Sequence, residues 1–281
     1  MLSIIIPART EKYLNNTIRD VLAKATGEIE IFPVLDGYGD YPYEPIKDDR
    51  VKYITFPLPK NHERRKRQAI NAAVSISNGE YICWMDAHCV VAPGFDVILT
   101  EHCNDDWVLV PRMYSVDIEK WDRKGEPEDY RYWKWSSVKS GKKFSQWRWL
   151  KRGEDRKDIM VDDILCAQGS FFFMTRKWFD WCGFMNTEGY MGWGEEGEEV
   201  CLTTLLNGGR VLVDKGTWYA HLRKDQMGKR MYKFVSAEPS YKYSYNYWVN
   251  KHKKFFTKTI NRFMPIPKFP PNWKDIIYGR T

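Results

Sequence analysis

Short β-branched runs alternate with segments of helical periodicity through the first 85 residues, and that alternation constrains the fold more than any other feature. Ser3–Pro7 is a run of branched aliphatics. Within Thr17–Ala25, the residues Ile18, Val21, Leu22 and Ala25 recur at helical spacing and make one apolar stripe. Ile29–Leu35 reads as a second strand closed by Asp36-Gly37. Pro33 inside it predicts a bulge or an edge position, because proline offers no ladder N–H. Val51–Phe56 is a third strand. Glu63–Ser77 reads as a helix with the stripe Ile70, Ala73, Val74 and Ser77, stopped at Asn78-Gly79. Arg64, Arg67 and Asn71 share another face of it. Tyr81–Met85 is a fully apolar fourth strand. Such strand–helix–strand units predict an α/β fold with a Rossmann-like, mostly parallel sheet flanked by helices.

The remaining strand signals, Gly169–Thr175 and Arg210–Val213, come after a break in the rhythm. Residues 112–160 hold five Trp, 14 Lys/Arg and nine Asp/Glu with no clean period. A long irregular stretch inside a compact domain predicts a lid or binding loop. Charge marks a further boundary. The net charge is +7 over 281 residues, yet residues 222–281 hold 14 Lys/Arg against three Asp/Glu. The expected organisation is a catalytic domain over 1–221, carrying the 112–160 insertion, and a basic aromatic extension over 222–281. In that extension Tyr241, Tyr243, Tyr245, Tyr247, Trp248, Phe255 and Phe256 alternate with or flank lysines, an electropositive surface suited to stacking.

No apolar run approaches the roughly 18 residues a membrane span needs. Met1–Pro7 lacks a basic region before its apolar stretch and reads as a strand rather than a leader. The six cysteines form no CxxC pair, so reduced thiols and a cytoplasmic setting are expected. Neither GxGxxG nor GxxxxGK[ST] occurs, which argues against a dinucleotide-binding dehydrogenase or a P-loop kinase.

Three clusters carry chemistry. Asp86 and His88 stand at i and i+2 at the end of the fourth strand, so they point the same way from the carboxyl edge where open α/β sheets bind ligands. A carboxylate oxygen and an imidazole nitrogen make a small metal platform that favours Mn²⁺ or a similar first-row ion. A hydrogen-bonded aspartate with an incidental histidine explains the same spacing. Gly189–Glu199 packs four carboxylates, Glu195, Glu196, Glu198 and Glu199, behind glycines that let a backbone approach a ligand. Crowded carboxylates raise one another's pKa, which suits acid–base work. Glu198 and Glu199 equally fit a bland role at a helix N-terminus. His221, with Arg223 and Lys224 just beyond, is a candidate third ligand with phosphate-binding neighbours.

In this order the residues resemble the GT-A class of nucleotide-sugar glycosyltransferases. Ser3–Glu11 resembles the first strand and loop of family 2 enzymes, which implies nucleobase contacts by Pro7, Arg9 and Glu11. Asp36 stands where the family places an acidic residue near the nucleoside. Arg67–Asn71 through Gly79-Glu-Tyr-Ile is similar to the helix and strand leading into the Asp-x-Asp motif. Asp86-Ala-His88 matches the Asp-x-His version of polypeptide N-acetylgalactosaminyltransferases. Gln168-Gly-Ser-Phe looks like their Gly-Gly-x-Phe strand, and Trp193–Glu199 resembles their Trp-Gly-Gly-Glu-Asn-x-Glu, with Glu195 and Gly197 replacing Gly and Asn. His221-Leu-Arg-Lys224 resembles the His-x-x-Arg-Lys that supplies the third ligand.

The resemblance implies transfer from a nucleoside diphosphate sugar, a UDP-sugar, to an acceptor hydroxyl. Mn²⁺ or another divalent ion would sit on Asp86, His88 and His221, and Arg67, Arg223 or Lys224 would meet phosphates. Trp193 and Asn71 would line the donor site, and Glu196 or Glu195 would serve as base. The basic aromatic tail suits a polyanionic acceptor. A hydroxymethylated base in DNA comes first, reached by base extrusion. Peptide, glycan or cell-envelope acceptors are the rival expectation, and an inactive binding module on this scaffold is the non-enzymatic one.

Overall fold

The computed structural model describes residues 1–38, 44–61, 63–138, 141–183, 185–191, 193–223, 226 and 236–263. The chain runs β1 (Leu2–Ala8), α1 (Leu14–Lys24), β2 (Ile29–Tyr38), β3 (Ile54–Pro57), α2 (Lys66–Ile76), β4 (Tyr81–Met85), β5 (Cys89–Val91), α3 (Phe95–His102), β6 (Trp107–Asp117) and β7 (Asp122–Lys124). It continues through β8 (Arg131–Val138), β9 (Gly141–Arg148), α4 (Leu150–Asp155), β10 (Val161–Asp163), β11 (Phe171–Thr175), α5 (Arg176–Cys182), α6 (Glu196–Leu206) and β12 (Arg210–His221). A tail follows, with α7 (Glu238–Tyr245), a π-helical turn (Asn246–Lys251) and α8 (Lys253–Phe263).

The main sheet has the order β10-β12-β6-β11-β4-β1-β2-β3, with β5 beside β12 and β7 beside β6. β1 lies parallel to both β2 and β4, while β11 enters antiparallel between β4 and β6. Ile4, Ile5 and Ile6 of β1 are all fully buried, as a central strand covered on both faces requires. Ile18 and Val21 of α1 and Ile70 and Ala73 of α2 supply the covering stripes. This is the expected mostly parallel α/β sheet.

Pro33 is accommodated by a gap in the ladder, not by a bulge. Ile31 donates its N–H to Arg50 O and accepts from Lys52 N. Pro33, two residues on, faces the same side, where pairing with β3 resumes only at Val34. No N–H is needed there. Gly79 marks a close approach: a Cβ would lie 2.4 Å from Ser3 Oγ and 2.6 Å from Ser3 N. Ser3 Oγ accepts from Gly79 N at 2.8 Å and donates to Glu30 Oε1 at 2.7 Å, tying the starts of β1, β2 and β4 together.

The 112–160 segment departs from the irregular loop read from its sequence. Its first part extends β6, and β8 and β9 form an antiparallel hairpin with Tyr132 opposite Trp147 and Trp133 opposite Gln146. Trp133, Phe144 and Trp149 are buried. The tail is in part the aromatic surface read from its sequence: Tyr241, Tyr243, Tyr245, Tyr247 and Phe255 are half-buried. Trp248, Phe256, Ile260 and Phe263 are buried, whereas Lys242, Lys251, Lys253, Lys254 and Lys258 are exposed. Phe256 stacks on Trp133 at 6.0 Å, so α8 and the hairpin share one core. Trp248, Phe256 and Phe263 turn inward and the lysine heads stay in water. Among the described residues no helix is long and apolar enough to cross a membrane. The six cysteines are free thiols.

Candidate functional site

Three strand ends converge on one cleft. β1 delivers Pro7, Arg9 and, just beyond, Glu11; β2 delivers Asp36; β4 delivers Asp86 and His88. All lie at the carboxyl edge of the parallel strands, and with Trp193, Glu196 and His221 they line a cavity of about 310 Å³. β12 brings the last of these. It bends past Asp214 and continues far enough to pair antiparallel with β5, setting His221 opposite Cys89 and therefore beside His88.

His221 Nε2 lies 3.0 Å from His88 Nε2 and 3.3 Å from Asp86 Oδ2, and His88 Nε2 lies 4.0 Å from Asp86 Oδ2. The two imidazole nitrogens face each other at hydrogen-bond distance, a spacing that a shared proton or a bound metal ion satisfies equally. Neighbouring ligands on an ion with bonds of about 2.1 Å sit about 3 Å apart, so the donor set fits a first-row divalent cation. Burial depresses the His221 imidazole, and the Asp86 hydrogen bond only partly offsets that, which keeps a lone pair available at neutral pH. Burial alone would raise the Asp86 carboxyl. Lys66 and the His221 hydrogen bond outweigh it and hold Asp86 well below the ordinary carboxylate range. On the far side of His88, Glu11 Oε2 stands 3.5 Å from Nδ1.

The acidic segment divides its labour. Glu196 faces the cleft and accepts from Gly194 N at 3.0 Å. Glu195 does not line the cleft. It is buried with a left-handed φ of 65°, where the resembled motif has glycine, and a non-glycine residue there carries strain. Glu199 is buried, accepting from Arg67 Nε at 2.8 Å and Asn186 N at 2.6 Å. Gly197 packs against the 167–169 turn so closely that a Cβ would sit 2.3 Å from Ala167 O. Glu198 accepts from Gln146 Nε2 of β9 at 2.7 Å. Glu198 and Glu199 do lie in the first turn of α6, as the helix-start reading has it, and they are also buried contacts across the core.

Burial pushes Glu195 well above the usual range, with Glu198 adding to the effect. Burial pushes Glu198 up to about 7, and the Glu196 charge adds to it. A carboxyl raised in the folded state binds its proton more tightly there than when unfolded. Stability therefore falls as pH rises from the ordinary value of 4.5 to about 7, by up to about 3 kcal/mol from this group. We expect Glu198→Gln to flatten the thermal-melting profile over pH 5–8. A profile as steep as the wild type's would place the proton elsewhere.

Several sequence-predicted residues sit apart from a ligand. Arg67 is 1 % exposed and points beneath the cleft into Glu199, Glu196 and Gly194 O, its guanidinium 4.2 Å from the Tyr190 ring centre. Asn71 clasps the backbone of Met185 through both side-chain polar atoms. Asp36 reaches the cleft wall, but Arg9 and three N–H groups of Arg65, at 2.6–3.0 Å, occupy its oxygens. Arg223 is exposed and pairs with Glu128, which also pairs with Arg131 and Arg148. Lys224 lies outside the described residues. Of two further cleft residues, Lys66 was not singled out from sequence, and Arg64, read there as part of the helix face of Arg67 and Asn71, lies before the start of α2. Lys66 donates to Asp86 Oδ1 at 2.6 Å, and Arg64 lies 4.2 Å over the Trp193 ring. Their signal was the basic run Arg64-Arg65-Lys66-Arg67 at the start of α2.

Solved structures share this architecture. GalNAc-T7, in a complex with UDP, GalNAc and Mn²⁺, superposes with a TM-score of 0.63 at 17 % identity, covering 98 % of this chain and 53 % of that one. The chain therefore spans about half the length of that relative. S. aureus TarS 1-349 in complex with UDP-GlcNAc gives 0.56 at 15 % identity, over 94 % of this chain and 73 % of that one. No curated protein sequence matches. Sheet order and neighbours together define the GT-A fold of nucleotide-sugar glycosyltransferases. The sequence profile "Glycosyl transferase family 2" matches residues 3–182, and the chain belongs to that family.

Proposed function

We propose that the protein transfers a sugar from a UDP-sugar to an acceptor hydroxyl, with Mn²⁺ or a similar ion held by Asp86, His88 and His221. The observation that carries this reading is the convergence of those three donor groups at the mouth of the cleft, beside Glu196. A divalent ion bound there supplies positive charge for a departing diphosphate. Around it Arg9 and Pro7 form the nucleoside end, Trp193 walls the cleft, and Glu196 orients the sugar or takes the acceptor proton.

For the acceptor we propose a polyanion, a hydroxymethylated base in DNA first. Residues 1–221 form the catalytic unit in this reading, and its 112–160 insertion and the 222–281 tail form the acceptor side. Arg131, Arg148 and Arg223 surround the single carboxylate Glu128, an excess of positive charge two residues beyond His221. Lys242 of α7 and Lys253, Lys254 and Lys258 of α8 are exposed as well. Buried Trp248 and Phe256 are spent on packing, so phosphate contacts carry the recognition more than base stacking does.

The test is transfer of labelled sugar from a panel of UDP-sugars, with Mn²⁺, onto hydroxymethylated duplex DNA, unmodified DNA, peptides and glycans. Label on the modified DNA, with affinity that falls steeply with salt, is expected. Label on peptide or glycan alone overturns the acceptor, and no turnover of any donor overturns the whole reading.

A further inference from the structure

Lys66 at the N-terminal end of α2 donates to Asp86 Oδ1 at 2.6 Å and to Gly169 O at 2.8 Å. Its side chain is 12 % exposed and faces the same cleft as His88 and Glu196. An ammonium has three donors, and two are accounted for, so one N–H remains for a ligand in the cleft. The Asp86 carboxylate is split between two tasks. Oδ1 holds Lys66, while Oδ2 lies 3.3 Å from His221 Nε2. Ligation through both oxygens would place the ion and the ammonium together on Oδ1.

We propose that Lys66 is a built-in cation of the diphosphate subsite. It keeps Asp86 a one-oxygen ligand and gives a nucleoside diphosphate an attachment that does not depend on added metal. The inference rests on the donor reading above and extends it. Lysine and divalent ion oppose each other on Asp86, since both draw on one carboxylate and repel at short range in a partly dehydrated cleft. On the diphosphate they act together, because each neutralises part of its charge.

The test is calorimetric titration of UDP, in EDTA and in Mn²⁺, and of Mn²⁺ alone, into the full chain and its Lys66→Met, Lys66→Gln and Lys66→Arg variants. Wild-type protein is expected to bind UDP in EDTA. Lys66→Met and Lys66→Gln should weaken that binding about tenfold or more, the scale of one charge-assisted hydrogen bond, whereas Lys66→Arg retains most of it. Mn²⁺ alone should bind the Met and Gln variants more tightly than wild type. A merely structural lysine would shift melting temperature without moving the Mn²⁺ isotherm in that direction. Wild-type binding of UDP in Mn²⁺ but none in EDTA overturns this inference and leaves the donor reading standing. So does UDP binding in EDTA that the Met and Gln variants match. Absence of UDP binding in both conditions defeats the donor reading along with it.

Discussion

Replacing Asp86 or His221 by alanine is expected to abolish metal-dependent donor turnover, a loss of roughly 10³-fold or more given the several kcal/mol of charge stabilisation at stake. The two changes act differently. Asp86→Ala removes the oxygen donor that lies 3.3 Å from His221 and strands Lys66. His221→Ala removes one of the two facing imidazoles and leaves β12 paired with β5 through its backbone. UDP release from a UDP-sugar, followed with and without Mn²⁺, checks both. Full metal-dependent activity in either variant would sink the site assignment.

Arg67→Met should cost stability and not only activity. Arg67 is one of the largest fully buried side chains, paired with Glu199 at 2.8 Å and lying 3.7 Å from Glu196. Removing one partner leaves a carboxylate buried without its counter-charge, a loss of about 3–5 kcal/mol, or about 10 °C in melting temperature for a chain of this size. Burial raises the Glu199 carboxyl, and Arg67 partly offsets this. Without the arginine its folded-state pKa rises further above the unfolded value, so the variant regains stability as pH falls and the acid is protonated in place. Its deficit against wild type should therefore shrink between pH 8 and pH 5. A deficit that stays constant across that range would mean lost packing, not the unpaired charge, is responsible.

Residues that act through local spacing were legible in the sequence, and those that act through distant contacts were not. Asp86 and His88 declare themselves because alternation along a strand sets i and i+2 on one side. His221 was visible only as a candidate, since its approach depends on β12 running past Asp214 to meet β5. Arg67 looked like a phosphate ligand because spacing does not reveal that Glu199, 132 residues away, is folded beneath it. Lys66 was hidden by the same basic run: four cations in sequence do not show which of them turns toward the cleft. The hairpin at 131–148 did leave a signal. Trp133-Lys134-Trp135 alternates with period two, but in β9 the inward side holds Phe144 and Gln146 while Trp147 is exposed, so the apolar face falls below what a core strand shows. In the tail, aromatic and lysine positions fit two opposite readings equally well. The fold decides it residue by residue: Phe256 packs on Trp133 and Trp248 is buried, while Tyr241, Tyr243, Tyr245 and Tyr247 stay half-buried.

The central claim is that Asp86, His88 and His221 form one divalent-ion site for a nucleotide-sugar. Electron paramagnetic resonance of Mn²⁺ titrated with the protein tests it most directly, because the free-ion signal disappears as the ion is taken up. The account predicts uptake of one ion per wild-type chain, tightened by UDP, and loss of that uptake in Asp86→Ala and His221→Ala. A free-ion signal undiminished by wild-type protein and UDP, or uptake unchanged in both variants, would contradict it.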